Sequence, residues 1–193
     1  ASAANAFDPR RWMQYDALRR GGIGSEIDAL ELWNQQFFHP TRALVDEWAA
    51  LLVRGLYVPV VGDSDFHILD QDRLGEPRNV FLCRANAAGE IEGSTLDCLL
   101  EAVRVGRLYV TDGPTIAWTL AGRLPGEVVS VFPGTWVAAH VAVTAPLGGT
   151  LDVFVGTERV ESIALPPGAL VERDLALRVP EGTELGHVES DGG

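Results

Sequence analysis

The sequence predicts an α/β unit followed by an all-β part that forms an antiparallel β-sandwich, and three observations support this fold class. Between residues 28 and 62 a strand, an amphipathic helix and a second strand follow one another, which is the order of a parallel βαβ unit. Beyond about residue 106, short segments of alternating apolar residues are separated by Pro/Gly turns, a pattern typical of a sandwich. The chain of 193 residues is 47% apolar and 22% charged, which suits one large or two small globular domains.

The α/β unit is predicted to occupy residues 1–85. A short helix is expected near residues 12–18, and residues 28–34 are expected to form a strand. The next helix is predicted over residues 41–54, because its apolar residues share one face. Those residues are Leu44, Val45, Trp48, Leu51 and Leu52. Residues 57–62 form a nearly continuous apolar run, which is typical of a parallel strand covered on both faces.

The all-β part is predicted to occupy residues 86–193, with one helix at its start. This helix is expected to follow Ser94, which forms a capping-box pattern with Asp97, and to end at Gly106. A strand over residues 79–84 precedes it. The sandwich strands are marked by Val137, Ala139, Val141 and Val143, then by Leu151, Val153 and Val155, and then by Leu175, Leu177 and Val179.

The charge balance excludes some classes of partner. The chain has 15 basic residues, all of them Arg, against 27 acidic ones, for a net charge of −12. A nucleic-acid partner is therefore not expected, because binding its phosphates needs a basic surface. No apolar run reaches the roughly 20 residues that cross a bilayer, so no membrane partner is expected either. Residues 1–6 lack an apolar core, and we expect that any signal peptide was removed or never existed.

The two cysteines leave the redox compartment open. Cys83 and Cys98 are fifteen residues apart and have no histidine close in sequence. One disulfide and two buried free thiols are both compatible with this spacing.

One run of residues carries the pattern of a chemical site. Gly62-Asp63-Ser64-Asp65-Phe66-His67 follows the most apolar strand, and ligand groups collect at the carboxyl ends of parallel strands. If the backbone stays extended, Asp65 and His67 point the same way and a divalent ion could bind between them. The alternative is that Asp63 or Ser64 caps a turn and the other side chains are solvated.

This run resembles the last metal-binding motif of the PHP (polymerase and histidinol phosphatase) superfamily of metallohydrolases. Residues 28–34 (DALELWN) upstream and residues 106–114 (GRLYVTDGP) downstream are similar to its carbaryl hydrolase-like branch, the CehA/McbA-like proteins. The resemblance implies the C-terminal part of a distorted (βα)7 barrel followed by the sandwich. It also implies that Asp65 and His67 are metal ligands.

The activity implied by the resemblance is hydrolysis of an ester, phosphoester or carbamate bond in a small-molecule substrate by metal-activated water. The family opens with an HxH motif that this chain lacks, and about 85 residues are too few for seven barrel strands. We therefore expect a fragment that binds Zn, Mn or Fe weakly or not at all, and that is inactive without the missing strands. A second chain carrying those strands, or a homodimer, would then cover apolar faces around Leu30, Leu32, Val58 and Val60.

Two further residues are candidates for substrate binding or for support of the metal ligands. Asn34 ends the strand before the helix, and His39 follows in the loop beside Phe37 and Phe38. His140 lies on the polar side of its strand and is expected to face solvent. The alternative to a hydrolase is a non-catalytic module in which the β-sandwich binds a partner or a glycan and the α/β part only supports it. The substrate, the localisation and the oligomeric state are left open by the sequence.

Overall fold

The computed structural model describes residues 28–35, 40–53, 57–69 and 73–181, and the predicted helix near residues 12–18 lies outside these ranges. The described part of the chain is mostly β, with two helices and several small sheets. The helices are α1 (Arg42–Val53) and α2 (Thr95–Val105). The strands are β1 (Leu30–Asn34), β2 (Val60–Asp63), β3 (Arg78–Phe81), β4 (Leu108–Thr111), β5 (Thr115–Leu120), β6 (Trp136–Thr144), β7 (Gly149–Val155), β8 (Glu158–Leu165) and β9 (Leu170–Arg178).

The predicted βαβ unit is present. β1 and β2 pair in parallel, with Leu30 opposite Val60 and Asn34 opposite Asp63, and α1 lies between them in the chain. In β2 only Gly62 is buried, and its two valines are half-buried. The expectation of a strand covered on both faces is therefore met only in part, because the described sheet has just these two strands.

A second small sheet and a helix connect this unit to the sandwich. β3 pairs antiparallel with β4. α2 begins and ends as predicted: the Ser94 hydroxyl accepts a hydrogen bond from Asp97 N–H, and Gly106 closes the helix in the left-handed conformation. Cys83 and Cys98 form a disulfide, with their Cα atoms 5.7 Å apart, so of the two alternatives the structure has the bonded one. The division of the chain at residue 86 stays a prediction.

The rest of the described chain forms two antiparallel sheets around one apolar core. Their strand orders are β5-β6-β9 and β7-β8. The core draws on both sheets, as its members Val141, Val143, Ala145 and Leu165 and the partly buried Ile116, Leu151, Val171 and Leu175 show. The predicted alternation of β6 is confirmed, since its valines at 137, 141 and 143 are buried and His140 faces solvent.

Two strands of the sandwich, β5 and β8, show no clear alternation of apolar and polar residues in the sequence. β5 follows β4 after a three-residue turn, and β8 has only Ile163 and Leu165 buried among eight residues. A strand that buries so few side chains has too few apolar positions to show a period of two. Neither helix in the described ranges is long and apolar enough to cross a membrane.

Candidate functional site

The candidate site lies where β1 and β2 end. Because the two strands are parallel and Asn34 is opposite Asp63, their carboxyl ends meet at the same edge. The loop after β2 carries Asp65 and His67, and Gln35 follows β1 directly. The structure therefore brings residues from two strand ends to one place.

Asp65 and His67 are in direct contact. His67 Nε2 lies 2.6 Å from Asp65 Oδ1; the Asp65 side chain is half-buried and the His67 side chain is exposed. The contact does not arise from the extended backbone that the sequence predicts, because Asp65 has a positive φ of 41°. The Asp63 carboxylate accepts a hydrogen bond from Asp65 N–H, which turns the loop so that the two side chains meet. The alternative that Asp63 caps a turn is thus also realised.

Gln35 is a site residue that the sequence did not reveal. Its Nε2 donates to Asp65 Oδ2 at 3.1 Å, and its backbone N–H donates to the Asp63 carbonyl at 3.0 Å. Gln35 also has a positive φ of 63°. This conformation is uncommon for residues other than glycine, and such residues cluster at functional sites. Asp65 therefore uses one carboxylate oxygen toward His67 and the other toward Gln35. Only its position in the chain could have indicated that Gln35 belongs to the site, because residue 35 follows β1 at the edge where Asp65 lies.

The other two sequence candidates are not joined to this pair. Asn34 is half-buried and its Nδ2 donates to the Glu31 carboxylate at 3.2 Å. Asn34 thus lies at the correct strand end, but its amide is turned toward its own strand. His39 lies outside the described residues.

Asn79 holds the end of β2, the strand that precedes the loop, through two hydrogen bonds. Its Oδ1 accepts from Gly62 N–H at 3.0 Å, and its Nδ2 donates to the Gly62 carbonyl at 2.7 Å. The amide of one side chain thereby replaces the pairing that a neighbouring strand would provide. A Cβ at position 62 would lie 2.6 Å from Val110 Cγ1 and 2.8 Å from the Trp33 carbonyl oxygen. Only a glycine, which has no Cβ, allows the chains to approach this closely.

The donor set suits a divalent metal but is small. A carboxylate oxygen and an imidazole nitrogen are ligands that Zn, Mn and Fe accept. Within the described ranges no group of three or more His, Cys, Asp and Glu side chains could hold a metal ion. The residues present therefore fit two positions of a coordination sphere.

No protein-family model, curated protein or solved structure matches this chain. The resemblance to the PHP superfamily accordingly stays a prediction from the three sequence motifs.

Proposed function

We propose that β1, α1 and β2 are part of a PHP-type barrel and that Asp65 and His67 are two ligands of a divalent metal in a hydrolase site. The observation that carries this proposal is the 2.6 Å contact between Asp65 Oδ1 and His67 Nε2 at the carboxyl end of a parallel strand. At this distance the two atoms share a hydrogen bond, and a divalent ion would take the place of its proton between them.

The surrounding residues support a site in which Asp65 is held in place. Gln35 binds the carboxylate oxygen that does not face His67, and Asp63 binds the backbone of Asp65. Metal sites commonly fix their ligands through such neighbouring hydrogen bonds. Gln35 is therefore a positioning residue in this proposal.

A bound divalent ion would supply the positive charge that activates water for attack on an ester, phosphoester or carbamate centre. The chain's own contribution is to hold the ion at Asp65 and His67 and to orient Asp65 through Gln35. Catalytic zinc sites use three protein ligands or more. The proposal therefore requires further ligands, from other barrel strands of the same protein or from a second chain.

Metal binding tests the ligand assignment. Equilibrium dialysis of the metal-free chain against Zn²⁺ or Mn²⁺ should give about one weakly bound ion per chain, and Asp65→Ala and His67→Ala should each weaken binding at least about tenfold. His140→Ala is the matched control, because His140 Nδ1 also lies 2.8 Å from a carboxylate, that of Asp174. Gln35→Ala should weaken binding about tenfold at an unchanged melting temperature.

Two outcomes would contradict the assignment. The first is a chain that binds neither ion. The second is binding that is equal in the Asp65, His67 and His140 variants, which would indicate a general effect of surface histidines.

Catalysis is tested separately. With Zn²⁺ or Mn²⁺ added, the isolated chain should not hydrolyse p-nitrophenyl phosphate or p-nitrophenyl acetate, since two ligands are fewer than such sites need. Robust turnover that is lost in His67→Ala would refute the view that further strands are required.

A further inference from the structure

The open end of the β-sandwich contains a cleft of about 800 Å³. One wall consists of eight consecutive residues, 174–181, and β8 contributes to the opposite wall. Successive side chains of a strand point to opposite faces of its sheet. A wall that includes every residue of the run is therefore the edge of β9 rather than one of its faces. In the described part of the chain β9 pairs with β6 alone, which leaves this edge to the cleft.

The backbone of β9 presents hydrogen-bonding groups to the cleft. β9 pairs with β6 without a register shift, and Val179 continues the pattern because its N–H donates to the Thr135 carbonyl at 2.9 Å. In an antiparallel pair, residues alternate between bonding to the partner strand and pointing away from it. Counting back from Val179, the N–H and C=O groups of Arg178, Ala176 and Asp174 point away from β6.

The side chains around this edge combine apolar surface with negative charge. Trp136 is 64% exposed and Val160 is 42% exposed. Leu175 and Leu177 of β9 also line the cleft and are half-buried, but they lie on the core face of the sheet, opposite to the face of Trp136. A large exposed aromatic residue is typical of the centre of a binding surface.

The charge of the cleft is predominantly acidic. Among the described residues that line it, the acidic side chains are Glu158, Glu161, Asp174 and Glu181, and the basic side chain is Arg178. Arg178 already forms an ion pair with Glu181. The cleft therefore favours a partner with positive charge.

We propose that the β9 edge binds an extended, basic peptide segment of a partner protein, which adds a strand to the β5-β6-β9 sheet. The segment bonds to the outward backbone groups of β9, places apolar side chains against Trp136 and Val160, and directs basic side chains to Glu158 and Glu161. A second copy of this chain is a poorer fit, because its net charge is −12. Residues 182–193 are a poorer fit too, because they contain three acidic residues and no Arg.

Ala176→Pro tests the backbone part of this proposal. Proline removes an N–H that points into the cleft while leaving the bonds to β6 in place, and it is tolerated on edge strands. The probe is a fluorescent eight-residue peptide of alternating arginine and valine, and its affinity should fall about tenfold or more in the variant. Hydrogen exchange should show the Ala176 amide becoming protected when the peptide is added to the unmodified chain.

Charge variants test the choice of partner. Glu158→Gln with Glu161→Gln should weaken peptide binding about two- to twentyfold and reduce its dependence on salt. The matched control is Glu92→Gln with Glu101→Gln, which neutralises two exposed carboxylates that are not part of the cleft wall. A peptide of alternating glutamate and valine should not bind.

Three results would overturn the proposal. One is the absence of binding by the arginine peptide, and another is equal binding by the glutamate peptide. The third is a dimer, seen by light scattering without peptide, that Ala176→Pro converts to monomer, since a second copy would then be the natural occupant. If the proline variant does not fold, Trp136→Ala is an independent test. Trp136 is largely exposed, so its truncation should leave the fold intact, and it should weaken peptide binding about tenfold.

Discussion

Gly62→Ala is expected to destabilise the chain because no space exists for a methyl group at this position. A Cβ would lie 2.6 Å from Val110 Cγ1 and 2.8 Å from the Trp33 carbonyl oxygen. The first distance is about 1 Å shorter than an ordinary carbon–carbon contact. Val110 is branched at Cβ and has little rotameric freedom, and the Trp33 oxygen belongs to the backbone of β1. The methyl group therefore has to displace either β4 or β1.

The expected cost is that of inserting a methyl group into a packed interior, about 1–3 kcal/mol. For a chain of this length, that corresponds to a decrease of about 2–12 °C in melting temperature, measured by circular dichroism or calorimetry. Gly113→Ala is the matched control, since a Cβ at Gly113 meets no atom within 4 Å. Val110→Ala removes one of the two obstructing groups, so Gly62→Ala should cost less in that background.

Equal melting temperatures for Gly62→Ala and Gly113→Ala would refute this reasoning. If Gly62→Ala costs as much stability in the Val110→Ala background as in the unmodified chain, the clash with Val110 does not contribute to that cost. In that case the contact with the backbone of β1 would have to account for the whole effect.

Three further outcomes are expected. Asn79→Ala should lower the free energy of unfolding by about 1–3 kcal/mol, because both hydrogen bonds to the Gly62 backbone disappear. Asn79→Asp should lose at least as much in chemical denaturation, because a carboxylate cannot donate to the Gly62 carbonyl and places a second acceptor oxygen against it. Reducing the Cys83–Cys98 disulfide should lower the free energy of unfolding by about 3 kcal/mol, as expected for a loop of fifteen residues, and the double Ser variant should no longer respond to reductant. The pKa of Asp152 is lowered chiefly by the hydrogen bond from the Ser162 hydroxyl and further by Arg159, so its contribution to stability is present above the unfolded pKa and lost as the pH falls. Melting temperatures between pH 7 and pH 2 should therefore show Asp152→Asn less stable than the unmodified chain at neutral pH, and the difference should begin to shrink below about pH 4 and vanish as the pH falls through the lowered pKa of Asp152.

The elements that the sequence predicted correctly are those whose signals are local. β6 shows alternating valines because one of its faces packs into the core, and α2 shows Ser94 and Gly106 because both helix ends need caps. The βαβ order was visible for the same reason, since each of its elements has its own periodicity. The sequence leaves the Cys83–Cys98 pairing open because fifteen residues of separation do not determine a distance.

The parts that were missed depend on contacts between distant residues. Gln35 meets Asp65 thirty residues away, and Asn79 meets Gly62 seventeen residues away. Neither the hydrophobic periodicity nor any motif in these two segments indicates such a contact. The approach of Asp65 to His67 was expected from an extended backbone, whereas the structure produces it with a positive φ at Asp65. The sequence therefore identified the pair for a geometric reason that the structure does not share.

The chain contains a natural comparison for the proposed metal ligands. His140 and Asp174 also form a close His–carboxylate pair, but Asp174 is on a strand surface with its side chain 92% exposed. Asp65 is 36% exposed, and both its second oxygen and its backbone N–H are held by neighbouring residues. Holding a carboxylate in this way costs conformational entropy. An exposed surface pair gains little from such restraint, whereas a metal ligand gains affinity from it. The restraint on Asp65, more than its contact with a histidine, is thus the feature that favours a binding role, and Gln35→Ala is the variant that tests it most directly.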